Sequence, residues 1–206
     1  MFAGTNELFR STDPRAQNIP IRLSTRQAAR GLDLTFLGDA AATDEQPAGL
    51  LHDVIGTVQG SPSGFESALE VLYATVTDGR AARPVFVASG RGALYLLATN
   101  LQAFRDAKLS GGAIAGAPLL ISPAAGNRLI LIDANELATF DDGVEIESSD
   151  IAAIEMVDTP TPGASTVVSA FQTGFSVVRI IQYVNWVKLR DDAVGFLELD
   201  ISGSPA

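Results

Sequence analysis

Between Leu109 and Asn127, and again between Thr159 and Val178, the chain carries no charged residue. Each stretch is long enough to cross a bilayer as a helix, for which about 20 residues suffice. Neither can be such a helix. Gly111, Gly112, Gly116, Pro118, Pro123 and Gly126 interrupt the first, and Pro160, Pro162, Gly163 and Gly174 the second. Glycine raises the entropy cost of ordering a helix, and proline removes an amide donor that a helix interior needs. Apolar sequence punctuated in this way reads as short strands and turns, so much of the second half of the chain is expected to be sheet.

The first half has a different period. Residues 1–20, with Pro14 and Pro20, show no clear repeat and read as an arm that is ordered only against something else. Ser24-Thr25-Arg26-Gln27 fits a capping box, and Ala28, Leu32 and Phe36 then fall four apart, which predicts a short helix stopping at Gly38. Residues 39–59 read as a long structured loop with an apolar step at Leu50 and Leu51. Phe65, Leu69, Leu72 and Val76 mark a second helix, opened by Ser61-Pro62-Ser63 and ended by Asp78-Gly79. Pro84 to Ser89 is of strand type, and Leu94, Leu97, Leu101 and Phe104 predict a third helix running to Gly111-Gly112.

Strands are expected at Ala117–Ser122, Leu129–Ile132 and Val144–Glu147, with turns at Asn127 and Asp141-Asp142-Gly143. Phe175–Leu189 and Val194–Leu199, separated by Arg190-Asp191-Asp192, read as two long strands of a hairpin. The class is α+β, with helices early and mainly antiparallel strands late.

Composition narrows the function. Of 206 residues, 47% are hydrophobic and 18% charged, a globular balance rather than a disordered one. Lys and Arg number 14 against 24 Asp and Glu, a net charge of −10, which argues against wrapping nucleic acid through counterion release. The chain has no cysteine, which removes disulfides, thiolate metal sites and cysteine nucleophiles together. Its start, Met1-Phe2-Ala3-Gly4-Thr5-Asn6-Glu7, lacks the basic and apolar regions of a secretion signal, so synthesis without export is expected.

Motifs for catalysis are weak. The single histidine, His52, stands beside Leu50, Leu51 and Asp53 and reads as packing or a polar turn contact rather than as a base acting with Asp53 or Ser61. Gly60 to Gly64 has Pro62 where a nucleophile elbow needs serine. Gly111 to Gly116 has the glycine spacing of a phosphate loop, but Ala117-Pro118 replaces the required Lys and Ser or Thr. Gly90-Arg91-Gly92 before a helix is a weak anion signal. Asp44, Glu45, Asp141, Asp142, Asp191 and Asp192 read as solvated turns, and Glu145 and Glu147 as one face of a half-exposed strand. An enzyme using Asp133, Glu145 or Glu147 in one cleft is the alternative from another class. Arg179, Arg190, Tyr183 and Trp186 do not form one basic stacking row and are expected in packing or subunit contact. No catalytic, cofactor-binding or metal site is assigned, and no cofactor.

The order of segments resembles the major capsid proteins of tailed bacteriophages, the HK97-type shell fold. Ala29 to Asp39 is similar to the end of that family's spine helix, and Pro47-Ala48-Gly49-Leu50-Leu51 to the Pro-x-Gly-Leu-Leu element of the loop after it. Pro84–Ser89 resembles the strand that follows, and the spacing of Leu94, Leu101, Phe104 and Asp106 the helix after that strand. Gly112 to Ser122 resembles the L-x-G-x-P-V strand, Leu129 to Asp133 the strand ending in G-D, and Val144 to Ser148 the alternating strand. Gly174 to Leu197 is similar to the closing segment, with Arg179 at the strand arginine and Ala193 to Phe196 near the terminal P-x-A-F, where Asp191-Asp192 replaces the family's proline.

The resemblance covers about residues 25 to 200. It implies an arm remnant at 1–20, a peripheral lobe from 21–49 and 166–206, and an axial lobe from 50–165, the two lobes interleaved along the chain. It also implies a structural subunit, not an enzyme, that self-assembles into hexamers and pentamers around packaged DNA, in the virion and in the host cytoplasm during assembly. Partners are then copies of itself, with scaffolding, portal or decoration proteins as further ones, and neither a membrane nor a specific nucleic-acid sequence. An encapsulin-like compartment shell is the alternative within the fold. Only residues 1–24 stand where the family has an N-terminal arm and extended loop, so a fragment or prophage form is expected. With Lys108 and Lys188 as the only lysines, the cross-link of some members is not carried over.

Overall fold

The computed structural model describes residues 2–5, 14–44, 46–58, 64–77, 83–149, 151, 153–155 and 167–201. The chain divides into two compact units, one of Met1–Gly31 with Asp141–Val184 and one of Leu32–Phe140 with Asn185–Ala206. These cuts fall elsewhere than the lobe limits implied by the resemblance.

The larger unit is built on a seven-stranded sheet in the order β2-β12-β7-β3-β6-β5-β4. Its strands are β2 (Thr57–Val58), β3 (Pro84–Ala88), β4 (Ala107–Lys108), β5 (Gly111–Ile114), β6 (Ala117–Ile121), β7 (Arg128–Asp133) and β12 (Val194–Glu198). β7 is antiparallel to both β12 and β3, whereas β3–β6 and β12–β2 are parallel. In β7 every residue from Leu129 to Asp133 is buried, the continuous apolar run expected of a strand covered on both faces.

On one face Phe86, Ala88, Leu119, Leu129, Leu131, Leu197 and Leu199 form a core with Phe65, Leu72 and Val76 of α2 (Phe65–Thr77) and Leu96 of α3 (Gly90–Ala98). The rings of Phe65 and Phe104 meet edge to face with centroids 5.3 Å apart. A side chain at Gly195 would stand 2.7 Å from Leu72 Cδ1, so a residue without one allows α2 to lie close on β12. Residues of opposite parity, Val87, Ile130, Ile132, Val194 and Phe196, are buried on the other face. The Arg128 guanidinium lies 5.1 Å above the Phe196 ring.

The third helix ends earlier than its leucine spacing predicts. α3 stops at Ala98, a separate one-turn helix spans Gln102–Phe104, and Gly111-Gly112 belong to β5. Ala93 and Leu96, not Leu94, face the core, because the run from Leu94 to Phe104 is not one helix and its period does not carry across the break at Asn100, whose φ is +54°. The second helix agrees with its prediction, while Ser61-Pro62-Ser63 and Asp78-Gly79 lie outside the described residues.

α1 (Pro14–Phe36) begins ten residues before the predicted capping box, so that Ser24-Thr25-Arg26-Gln27 is helix interior and Pro14–Pro20 is helix rather than arm. Pro14 occupies the first position, where its missing amide costs nothing. Ser24, Ala28, Leu32 and Phe36 are half-buried along one face. The C-terminal end of α1 is locked by the 47–51 loop: Gly49 donates to Ala40 O (3.0 Å), Leu50 to Phe36 O (2.8 Å) and Leu51 to Gly38 O (3.0 Å). The bond to Phe36 O satisfies a carbonyl that the helix end leaves open, and the other two tie the loop to the residues just after it. At Gly49 a Cβ would sit 2.2 Å from Gly38 O, backbone against backbone, which is why this loop position has no side chain.

The Trp186 indole closes the arrangement, donating from Nε1 to Ala48 O (2.8 Å) and meeting the Phe36 ring edge-on at 5.1 Å. Trp186→Phe keeps the ring but orphans that carbonyl, and is expected to lower stability by about 1 kcal/mol. Urea unfolding followed by far-ultraviolet circular dichroism measures this, and an unchanged midpoint would remove the bond from the account.

In the smaller unit β1 (Phe2–Thr5) pairs antiparallel with β11 (Phe175–Lys188), which also borders β8 (Leu137–Ser149). β9 (Ala153–Glu155) and β10 (Val167–Ser169) form an antiparallel pair that leads into the single turn α4 (Ala170–Thr173), ended by Gly174 at φ +66°. Two expectations change here. Asp141-Asp142-Gly143 is not a turn: β8 continues through it, with Gly143 at φ +90° taking up the irregularity. Nor do β11 and β12 form a hairpin, since β11 pairs with β1 and β8, and β12 with β2 and β7. Among the described residues no helix is long and apolar enough to cross a membrane.

Candidate functional site

Several of the titratable residues singled out in the sequence, Asp133, His52, Asp141, Glu147 and Asp192, make structural contacts. Asp133 is the buried one. Its Oδ1 accepts from the amides of Arg83 (2.9 Å) and Asn135 (3.1 Å), and its Oδ2 lies 4.0 Å from Arg190 Nη2. Arg190 also donates to Val76 O and reaches Asp192 Oδ2 at 2.9 Å. One carboxylate thus joins the end of β7 to the start of β3 through Oδ1, with Arg190 and α2 alongside.

His52 contacts Asp39 O through Nδ1 (3.3 Å) and Asp53 through Nε2 (3.3 Å), while Lys188 donates to His52 O (3.1 Å). This is the polar turn contact that the sequence suggests. Ser61 and Glu45 lie outside the described residues.

Glu145 and Glu147 are exposed on β8, in the smaller unit, whereas Asp133 is in the larger. Glu147 Oε2 stands 3.9 Å from Arg179 Nη1, both well exposed. Asp141 Oδ1 accepts from the Gly143 amide (2.9 Å). The amide of Gly92 at the start of α3 is already capped by Ser89 Oγ (3.0 Å), and Arg91 donates to Ile201 O (2.9 Å). Trp186 is buried and Tyr183 exposed, so the two do not make a stacking platform. No cluster of three or more His, Cys, Asp or Glu suited to a metal occurs among the described residues.

What the larger unit offers instead is surface shape. An open groove of about 900 Å³ runs beside α2, walled by Leu69, Tyr73, Pro84 and Ile114, with Glu66, Glu70 and Arg83 also lining it. The β5–β6 turn at Ala115-Gly116 forms one of its sides. At the other end of β5 the β4–β5 turn projects Leu109, 56% exposed, beside an exposed Lys108. Sequence reasoning missed both features. The signal for the turn was Lys108-Leu109-Ser110-Gly111-Gly112, which the helical leucine spacing had absorbed.

No protein-family model matches the chain. Its sequence is 28% identical over 221 aligned residues to the capsid polyprotein of Pseudomonas phage PAJU2, covering 94% of this chain and 32% of that protein. The chain therefore spans about a third of the length of that relative. Its fold matches a solved structure from Gordonia phage Cozz with a TM-score of 0.65 at 14% identity, covering 96% of this chain and 68% of that one. It also matches the capsid of the native GTA particle (TM-score 0.57, 14% identity, 97% and 70% covered).

The chain has the HK97-like capsid fold.

A third match, to the holo-SrpI encapsulin complex of Synechococcus elongatus PCC 7942, has a TM-score of 0.57 at 13% identity and covers 99% of this chain and 74% of that one. In HK97-like terms α1 stands where the resemblance places the spine helix. The Pro47–Leu51 loop grips its C-terminal end, and Arg179 on β11 stands beside Glu147.

Proposed function

We propose that this protein is a structural subunit of a phage or prophage icosahedral capsid, assembling with copies of itself into hexamers and pentamers around packaged DNA. The observation that carries the proposal is the sequence match to a phage capsid polyprotein across 94% of the chain, joined to an HK97-like fold. Its place is then the virion, and the host cytoplasm during assembly. Scaffolding, portal or decoration proteins are further partners of such a shell. The role is mechanical rather than catalytic, as the match to a phage capsid polyprotein suggests. The ring-forming part is residues 50–165, the axial lobe, with 21–49 and 166–206 as the peripheral lobe and 1–20 as the arm remnant. A net charge of −10 suits a shell that encloses DNA without binding it tightly.

The encapsulin match gives a second reading, a compartment shell around protein cargo. The sequence match favours the phage reading. Light scattering and negative-stain microscopy over a range of protein concentrations test both. Rings or closed shells are the expected result, and a strict monomer at every concentration would overturn the structural-subunit reading. Shells that retain protein cargo through purification and exclude DNA would favour the compartment.

A further inference from the structure

We propose that the β4–β5 tip of one copy, Lys108 and Leu109, seats in the α2 groove of the next, as a head-to-tail contact between copies of this chain. The proposal rests on the shell reading and names the surfaces that reading requires.

Three observations carry it. The first is position. The tip lies at one end of β5, and the Ala115-Gly116 turn that helps wall the groove lies at the other. Tip and groove are therefore different surfaces of one molecule, and a contact between them is heterologous. Such contacts repeat from copy to copy and make a ring where the rotation closes.

The second is chemistry. The groove is walled by apolar side chains and bordered by Glu66 and Glu70, whose charges outnumber that of Arg83. The tip presents an apolar side chain next to an ammonium group. Neither Lys108 nor the two glutamates has an ion-pair partner among the described residues, so their charges are free to steer a second copy.

The third is rigidity. Gly112 holds φ +136°, and a Cβ there would stand 2.3 Å from Asp106 O. The backbone behind the tip is thus packed closely against 106, and an ordered tip loses little freedom on docking.

The test is charge exchange in the full chain. Lys108→Glu and Glu70→Lys each alter exposed side chains, and a circular-dichroism melt of each variant checks that the fold is kept. Sedimentation velocity then reads the concentration at which assembly begins. Each single variant is expected to raise that concentration about tenfold, and the double variant to return to within about threefold of the unmodified chain. Leu109→Ser, which keeps the charges, is expected to raise it as well. Single variants that assemble like the unmodified chain, or a double variant no better than the two losses combined, would overturn this contact while leaving the shell reading standing. An unmodified chain that stays monomeric throughout would overturn both.

Discussion

Phe65→Ala is expected to destabilise the larger unit by about 4 kcal/mol, the usual scale for removing a fully buried aromatic side chain. Phe65 is 0% exposed at the first turn of α2, and its ring meets that of Phe104 edge-on at 77°. Truncation forfeits the transfer free energy of the ring, leaves a cavity between α2 and the sheet, and removes an aromatic pair worth about 1 kcal/mol beyond its area. A domain has only about 5–15 kcal/mol in total, so the variant would sit near its stability threshold. Urea unfolding followed by the fluorescence of the single tryptophan, Trp186, reads the change from within the same unit. Phe65→Leu, which refills most of the volume, should cost about 1.5 kcal/mol. A loss under about 1 kcal/mol for the alanine variant would mean that α2 is not packed on the sheet as described.

Asp133→Ala is expected to cost about 3 kcal/mol, and the comparison with Asp133→Asn identifies which contact is responsible. The alanine variant orphans the amides of Arg83 and Asn135 in a buried place and takes a carboxylate from beside Arg190. Asparagine keeps an oxygen acceptor for both amides but removes the charge. Since the amide bonds are short and the Arg190 contact is 4.0 Å, with Asp192 nearer at 2.9 Å, most of the stabilisation is assigned to the amides. Asp133→Asn is therefore expected to cost about 1 kcal/mol, and the difference shows in paired urea midpoints. Equal losses in the two variants would transfer the stabilisation to the Arg190 pair.

Both predictions concern residues that were legible in the sequence to different degrees. Phe65 was legible because Leu69, Leu72 and Val76 repeat its period, and an amphipathic helix buries whatever lies on that stripe. In the sequence Asp133 is visible only as a carboxylate after an apolar strand, a position that suits a catalytic group as well as a structural one. Apart from the amide of Asn135, its partners Arg83 and Arg190 lie fifty or more positions away in the chain, and no local pattern connects them. The groove was hidden for the same reason, since its walls come from α2, β3 and the β5–β6 turn, whereas the β4–β5 tip is local in sequence and was masked by the leucine spacing that runs up to it.

The amino-acid sequence alone determined the elements whose cause is local. Glycine and proline forced the stretch from Leu109 to Asn127 into strands and turns, four-residue spacing made α2 a helix, and the order of segments pointed to an HK97-like shell. Tertiary structure decided where these elements end and which of them pair. α1 extends back to Pro14 past a plausible cap, and α3 stops at Ala98 despite leucines that continue its spacing. β11 and β12, adjacent in the chain and alike in composition, entered different sheets. The physical reason is that period and capping act over one or two helical turns, whereas a strand's partner is chosen by the summed burial of apolar faces brought together from the whole chain.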